Sequence, residues 1–393
     1  MKTIKNKQRV YLDYAATTPV DPRVIKTMLP YFNEYFGNPA SMHYLGRKSF
    51  DILEKARLEI SKAINALPQE IYFTGSATES NNWALKGIVE SFIKSGKKQI
   101  HIIVSSIEHD CVLNTAKYLE NKGIGVTYLE SDIKGFINLD QLKKSITADT
   151  VLVSIIHGNN EIGTVQDLKA ISEICHSKGI LFHTDAAQSF TKIPIDVRKM
   201  GIDMLTASAH KIYGFKGAAF LYLRQGIKIE PLLHGGGQER GMRSSTVNIP
   251  AIIGFAKATE IGIKNMAKES AKLSKMRDWT IKKIIKEIPK SFLNGDPIKR
   301  LPNNINMGFL GIEGESLLME LDQRGIAVST GSACSSPKLE PSHVLQSCGL
   351  SYEKMHGSIR ISIGRWTTKQ QLEYFVEELK KSVEKLRKIS PLK

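Results

Sequence analysis

Asp203-Met-Leu-Thr-Ala-Ser-Ala-His-Lys-Ile-Tyr-Gly-Phe-Lys-Gly217 is the stretch whose reading decides the fold. Residues 203–206 read as a buried strand, and a turn of small residues then presents Ser208, His210 and Lys211 before a glycine-rich exit. A lysine forms a Schiff base only if its amine is sometimes neutral, a condition that burial and neighbouring cations promote. Ser208 and His210 add donors suited to a phosphate close by. A lone lysine after a strand is more often a surface residue, so the weight falls on what surrounds it.

Working outward, short apolar runs at 70–73, 100–104, 126–129, 151–156, 180–183, 203–206 and 218–223 alternate with longer helical patterns. That alternation predicts an α/β fold with a mostly parallel central sheet sandwiched by helices. Most runs lack polar alternation, as strands buried on both faces do. After about Pro250 the texture changes to lysine-rich helical segments over 252–288, then strand-like pieces near 304–309 and 359–363. A final helix carries Leu372, Phe375, Val376, Leu379, Val383 and Leu386 at helical spacing, with Thr368 and Gln371 in capping-box positions. The expected organisation is a large domain over 16–259 and a smaller α+β domain formed by 1–15 and 260–393.

With 393 residues, 41% of them hydrophobic, the chain can bury a substantial core. Lys+Arg 55 against Asp+Glu 39 leaves a net charge of +16. The lysines are spread along helices rather than bunched, which fits solvated faces and makes direct nucleic-acid binding an unfavoured reading. Cys111, Cys175, Cys334 and Cys348 form no CxxC pair and no disulfide framework, so a reducing cytoplasm is the simplest setting. The basic N-terminus leads straight into Val10-Tyr-Leu-Asp-Tyr14 with no apolar signal region. No apolar run approaches membrane-spanning length.

Candidate chemistry sits where the predicted strands end. Tyr72-Phe-Thr-Gly-Ser-Ala-Thr-Glu-Ser-Asn-Asn82 reads as strand, glycine turn and helix start, a place where backbone N–H groups and the helix dipole meet a phosphate and Thr78 adds a hydroxyl. His109, in Ser105-Ser-Ile-Glu-His109, follows another strand and suits stacking on an aromatic cofactor as well as proton transfer. His157-Gly-Asn-Asn-Glu-Ile-Gly163 offers side-chain amides, Asn160 among them. In His183-Thr-Asp-Ala-Ala-Gln188, Asp185 is placed to pair with a protonated pyridine nitrogen, and Gln188 is within reach of a ring oxygen. Together with Lys211 these motifs all fall at carboxyl ends of parallel strands, the edge where open α/β sheets bind ligands. Lysine, phosphate donors and a carboxylate partner are what a pyridoxal-phosphate site requires.

Three further stretches add to this. The loop His234-Gly-Gly-Gly-Gln-Glu-Arg-Gly-Met-Arg-Ser-Ser-Thr246 lets Thr246 or Arg243 complete a phosphate site, across a subunit boundary. Ser329-Thr-Gly-Ser-Ala-Cys-Ser-Ser-Pro337 puts Cys334 in small, polar surroundings that suit a reacting thiol, whereas Cys175 has the apolar context of a structural one. Cys111 and Cys348 lack the context of Cys334. Arg360, in the apolar Gly357-Ser-Ile-Arg-Ile-Ser-Ile-Gly-Arg365, needs a buried anionic partner, and a substrate carboxylate is a natural one.

These residues resemble those of the cysteine desulfurases, fold type I pyridoxal-phosphate enzymes of the class V aminotransferase group. The resemblance runs from Tyr11-Leu-Asp-Tyr-Ala-Ala-Thr-Thr-Pro19 to Ile389-Ser-Pro-Leu392 and is most specific in Ala77-Thr-Glu-Ser-Asn-Asn82, Asn159-Asn-Glu-Ile-Gly163, Thr184-Asp-Ala-Ala-Gln188, Ser208-Ala-His-Lys211, Arg240-Gly-Met-Arg-Ser-Ser-Thr246 and Gly331-Ser-Ala-Cys334. It implies that Lys211 holds pyridoxal 5'-phosphate covalently and that Asp185 pairs with its ring nitrogen. Ala77, Thr78, Ser208, His210 and, from a partner subunit, Thr246 would hold the phosphate. His109 would stack on the ring, Asn160 and Gln188 would contact cofactor or substrate oxygens, and Arg360 would bind the carboxylate of L-cysteine. Cys334 would take the sulfur as a persulfide and pass it to a protein acceptor, an iron–sulfur scaffold or a tRNA-thiolating enzyme. The longer loop, 331–343, resembles the housekeeping group, whose members are homodimers. Two departures stand out: Gln238 occupies a position where relatives carry histidine, and many relatives continue past Ser390-Pro-Leu392 with a tail that docks the scaffold.

Overall fold

A computed structural model of the chain describes residues 9–330 and 341–390. Among these, the strands are β1 (Val10–Tyr11), β2 (Ile71–Thr74), β3 (His101–Ser105), β4 (Gly125–Leu129), β5 (Thr150–Ser154), β6 (Leu181–Asp185), β7 (Met204–Ser208), β8 (Ala219–Leu223), β9 (Ser291–Leu293), β10 (Asn304–Phe309), β11 (Ile326–Ala327) and β12 (Ser358–Ser362). Seven of them form one sheet in the order β2-β8-β7-β6-β5-β3-β4. β4, β3, β5, β6 and β7 run parallel to one another, as the strand–helix alternation predicts. β8 instead runs antiparallel to both β7 and β2. The connection 209–218 between β7 and β8 is too short for a crossover helix, so it can only turn the chain back.

Side chains of successive strand residues enter opposite faces of this sheet. Ile103, Val153, Phe182, Leu205 and Phe220 pack into one cluster with Ile60, Phe190 and Phe255. Ile102, Val104, Leu152, Met204 and Leu221 pack into another with Trp83, Ile88 and Val112. Both faces are therefore covered by helices, and continuous apolar runs are what such strands need. A third cluster gathers Val10 and Leu12 with Leu273, Ile305, Ile326, Ile359 and the inward face of the helix Lys369–Ile389. That helix begins with the expected capping box: Gln371 N–H donates to Thr368 Oγ1 (3.2 Å) and Thr368 N–H to Gln371 Oε1 (3.0 Å).

The antiparallel sheet β12-β10-β9 belongs to this third cluster, and the pair β1-β11 joins it through an Asp13–Ser362 bridge. One helix, Ile249–Glu287, links the clusters without a break. Ile252, Phe255 and Ile261 enter the first, and Leu273 and Ile284 the third. At 39 residues it is about 58 Å long. No helix among the described residues is long and apolar enough to cross a membrane.

Two histidines are sealed in the large sheet. His183, fully buried in β6, has Nδ1 2.8 Å from Ser154 Oγ, and burial pushes it down to about 3. Burial likewise holds His157 at about 4. Both rings are neutral in the fold at pH 7, while the unfolded chain protonates them near the ordinary value of about 6.5. Acid therefore favours unfolding from about pH 6.5 downward, by about 1.4 kcal/mol per ring and pH unit. Burial pushes Glu108 the other way, up to about 8, so the fold holds its proton and this one group favours the fold as pH falls from 8. Two rings against one carboxyl should lower the urea midpoint between pH 6.5 and 5.0. A flat or rising midpoint over that range would contradict this account.

Candidate active site

Chain connectivity determines where a site can form. β3 leads outward to β4, the chain returns to β5 on the other side of β3, and the crevice between β3 and β5 is the switch point of the sheet. His109 follows β3, Asn160 follows β5, Asp185 closes β6 and Lys211 follows β7, so all four stand at carboxyl ends of strands along this edge.

Asp185 is 5% exposed, and its carboxylate accepts from Ala187 N–H (2.8 Å) and Asn81 Nδ2 (2.7 Å). Lys211 Nζ donates to the carbonyls of Ala15 (2.7 Å) and Ala16 (2.8 Å). Gln188 Nε2 donates to the same Ala15 oxygen (2.8 Å), which puts Gln188 beside the lysine. Lys192 Nζ donates in turn to Gln188 O (2.8 Å), and burial, then the charge of Lys211, pushes it down to about 7. His210, with Nδ1 3.1 Å from Thr17 Oγ1, is pushed down to about 4 by burial and then by Lys211, Lys216 and Lys192. A neutral ring among lysines serves as a hydrogen-bonding group rather than a counter-ion.

His109 is the N-cap of the helix Asp110–Glu120, and its Nδ1 accepts from Cys111 N–H (3.2 Å). Asn160 lies in a turn braced by Asn159, whose Oδ1 accepts from Glu161 N–H (2.9 Å) and Ile162 N–H (3.0 Å) and whose Nδ2 donates to Ile107 O (2.8 Å). Arg360, 5% exposed in β12, donates to Asn160 O (3.1 Å) and Asp13 Oδ1 (2.9 Å). Asp13 is thus the anionic partner that a buried arginine needs. Ala77 and Thr78 are the first two residues of the helix Ala77–Lys94, where N–H groups precede any intrahelical acceptor. Ser208 ends β7, buried, immediately before the turn.

The loop carrying Thr246 is tied down rather than a flexible linker. Glu239, buried, takes two hydrogen bonds from Arg57 (2.7 and 2.8 Å) and one from Phe73 N–H (2.8 Å). Glu239 and Arg240 both adopt left-handed backbone, φ 49° and 60°. Arg243, a candidate for phosphate contact, is paired with Glu79 (2.7 and 3.0 Å), whose carboxylate also accepts from Gly75 N–H (2.8 Å). Thr246 itself is exposed, on the lip of a cavity shared with Gly75, Gly217 and Arg243.

Cys334 lies outside the described residues. The residues flanking 331–340 are held to the site: Ser329 pairs with Arg360 through the backbone, Ser342 Oγ donates to Glu161, and His343 Nε2 lies 2.9 Å from Glu108 O. Sequence reasoning missed Asp13, Asn81, Cys111 and Lys192. The first two belong to quoted motifs; Cys111 and Lys192 gave no signal, because only the fold brings them to His109 and Lys211.

The arrangement fits pyridoxal 5'-phosphate. A buried carboxylate, a lysine, a neutral histidine and a helix N-terminus stand along one edge of the sheet, while Asn160 Oδ1 and Arg360 Nε are buried without a hydrogen-bond partner among the described residues. Such orphaned polar atoms imply a ligand that satisfies them.

An α/β sheet of this order with a buried carboxylate at the end of β6 and a lysine just past β7 defines a class of cofactor-dependent enzymes. The class-V aminotransferase model matches residues 10–375. A cysteine desulfurase IscS of Clostridium botulinum is 49% identical over 389 residues, 98% of this chain and 97% of the relative. Among solved structures, a NifS-like protein superposes with a TM-score of 0.90 at 38% identity, covering 96% of this chain and all of the other. The structure described as SspA in complex with cysteine gives a TM-score of 0.81, also at 38% identity, over 91% of this chain and all of the other. The chain belongs to the class-V aminotransferase family and, within it, to the cysteine desulfurases.

Proposed function

We propose that this chain removes sulfur from L-cysteine, releasing L-alanine and keeping the sulfur as a persulfide on Cys334. The observation that carries the reading is the convergence of Lys211, Asp185, His109, Asn160 and Arg360 on one crevice, in a chain whose relatives are cysteine desulfurases.

Pyridoxal 5'-phosphate, when bound, supplies an electron sink for negative charge at the substrate α-carbon. Lys211 would hold it, with Ala77, Thr78, Ser208 and His210 at the phosphate and Asp185 at the ring nitrogen. Gln188 and Asn160 orient oxygens, Asn160 through the Oδ1 that has no partner among the described residues. Arg360 receives the substrate carboxylate on its Nε edge, which has no partner among the described residues. Lys211 Nζ moves the proton at the α-carbon. His109 serves as a proton donor through Nε2, since Nδ1 is used on Cys111 N–H. The Cys334 thiolate attacks the substrate sulfur, forming the S–S bond as the C–S bond breaks, and that electron pair ends, protonated, in alanine.

Residues 16–259 then form the cofactor-holding unit, and 1–15 with 260–393 the unit that carries Cys334 and Arg360. Support comes from the separate cluster that joins Val10 and Leu12 to residues beyond Leu273. We read the protein as a cytoplasmic homodimer in which Thr246 of each chain serves the other's phosphate. Leu29, Phe32, Phe36, Met42, Tyr44 and Phe50, all at least half exposed in the single chain, favour a partner chain over them. The sulfur acceptors are proteins, an iron–sulfur scaffold or a tRNA-thiolating enzyme; direct nucleic-acid binding is not part of the reading.

The test is sulfide and alanine release from L-cysteine with a thiol reductant, comparing wild type with Cys334→Ala while recording the visible spectrum. Wild type should form both products, and the variant should keep the cofactor's colour and release no sulfide. Two coloured proteins that transaminate without releasing sulfide would overturn the assignment in favour of an aminotransferase.

A further inference from the structure

Between the carboxylate that faces the ring nitrogen and the histidine expected to stack on the ring lie two side chains to which no role has been given. Asn81, fully buried on the helix Ala77–Lys94, sends Nδ2 to Asp185 Oδ2 (2.7 Å) and also to Cys111 Sγ (3.1 Å). Cys111 Sγ lies 3.2 Å from His109 Nδ1, the nitrogen that already accepts from Cys111 N–H. A continuous chain of contacts, carboxylate to amide to thiol to imidazole, therefore runs under the crevice.

The links made by N–H groups have one chemically permitted direction. A carboxylate accepts, so the Asn81 amide nitrogen donates to it, and its second hydrogen is directed to the sulfur. A backbone N–H only donates, so His109 Nδ1 is an acceptor and the proton of the neutral ring is on Nε2. Burial pushes the Cys111 thiol up to about 12, so it remains S–H, a donor and not a nucleophile. Its hydrogen is shared between His109 Nδ1, whose lone pair also takes Cys111 N–H, and the Thr78 side chain, which hydrogen-bonds the same thiol.

We propose that Asn81 and Cys111 are positioning residues that tie Asp185 to His109 and hold the His109 ring in one orientation, with its proton on Nε2. The link gives the ring a second hold besides the backbone, and it makes Asp185 and His109 move as one unit. Its catalytic consequence rests on the desulfurase reading; its structural content does not. Cys111 is thus a second thiol of the site, distinct in role from Cys334.

The experiment is 15N spectroscopy of histidine side chains in the cofactor-free protein, where His109→Gln identifies the His109 signals among the ten histidines. Wild type should show a protonated Nε2 and a bare Nδ1. Cys111→Ala, which keeps the backbone hold and loses the sulfur, should broaden or split that pattern, and Cys111→Ser should restore it. In the loaded enzyme, misplacing a catalytic group by about 1 Å can cost about a hundredfold; a ring losing one of two holds should lose about tenfold in kcat, with KM within about twofold. A Cys111→Ala spectrum identical to wild type, or a wild-type ring protonated on Nδ1, overturns the proposal whatever the activities. Loss of sulfide release from wild type with the tautomer pattern intact would sink the functional reading and leave this one standing.

Discussion

Replacing Asp185 with alanine lowers kcat/KM for sulfide release from L-cysteine by about a thousandfold, comparable to removing a preorganised group from a water-poor site. The carboxylate is buried and held by two donors, so it needs no reorganisation when charge develops on the ring. Its removal also leaves one hydrogen of Asn81 Nδ2, and Ala187 N–H, without an acceptor, at a cost of about 1–3 kcal/mol each in stability. Steady-state kinetics with saturating cofactor separate the two effects: the rate stays low when binding has been restored. An Asp185→Ala enzyme within tenfold of wild type under those conditions would remove Asp185 from the chemistry.

Glu239→Ala should destabilise the fold by about 1–3 kcal/mol, because it strips two hydrogen bonds from the buried Arg57 guanidinium and leaves it only the partly exposed Glu54 as a charge partner. The same substitution frees Phe73 N–H at the end of β2 and releases a loop whose backbone is already left-handed at two non-glycine residues. Urea unfolding measures the loss. The double variant Arg57→Met with Glu239→Leu should recover most of it, since two apolar side chains replace a buried pair at little net cost. Single and double variants that unfold at the same urea concentration would show that the pair is not what holds the loop.

Much of the fold was legible because strands covered on both faces need unbroken apolar runs. Five of the seven runs nevertheless begin one residue before their strand, and those at 126 and 151 begin one residue after it. The run at 70–73 is the strand Ile71–Thr74, since Glu70 turns its carboxylate back to Leu67 N–H (2.9 Å) and Gln225 N–H (2.9 Å) instead of extending. At the other ends, Thr74, Ser105, Asp185 and Ser208 complete the ladders although they are polar, because the backbone pairs whatever the side chain. The two-residue strands β1 and β11 carry no periodicity at all, and only their partners define them.

The site was legible where a strand end and a chemical group coincide, as at Asp185 and Lys211. It was not legible where the partner is remote. Asn81 meets a carboxylate 104 residues away, and Arg243 looked free for a phosphate because nothing local shows that Glu79 takes it. Cys111 was set aside for want of an activating neighbourhood. The fold does give it neighbours, but they are ones that keep its proton on.

The carbonyls of Ala15 and Ala16 that receive the Lys211 amine hang from the first strand, and Ala15 N–H is held by Ser362 Oγ (2.8 Å). That strand in turn pairs with Ile326 and Ala327. During synthesis the seven-stranded sheet emerges from the ribosome long before these partners do. Seating the Lys211 amine thus couples the earliest part of the chain to its latest: the acceptors come from residues 15 and 16, and their backbone is held from one side by Gln188 and from the other by Ser362.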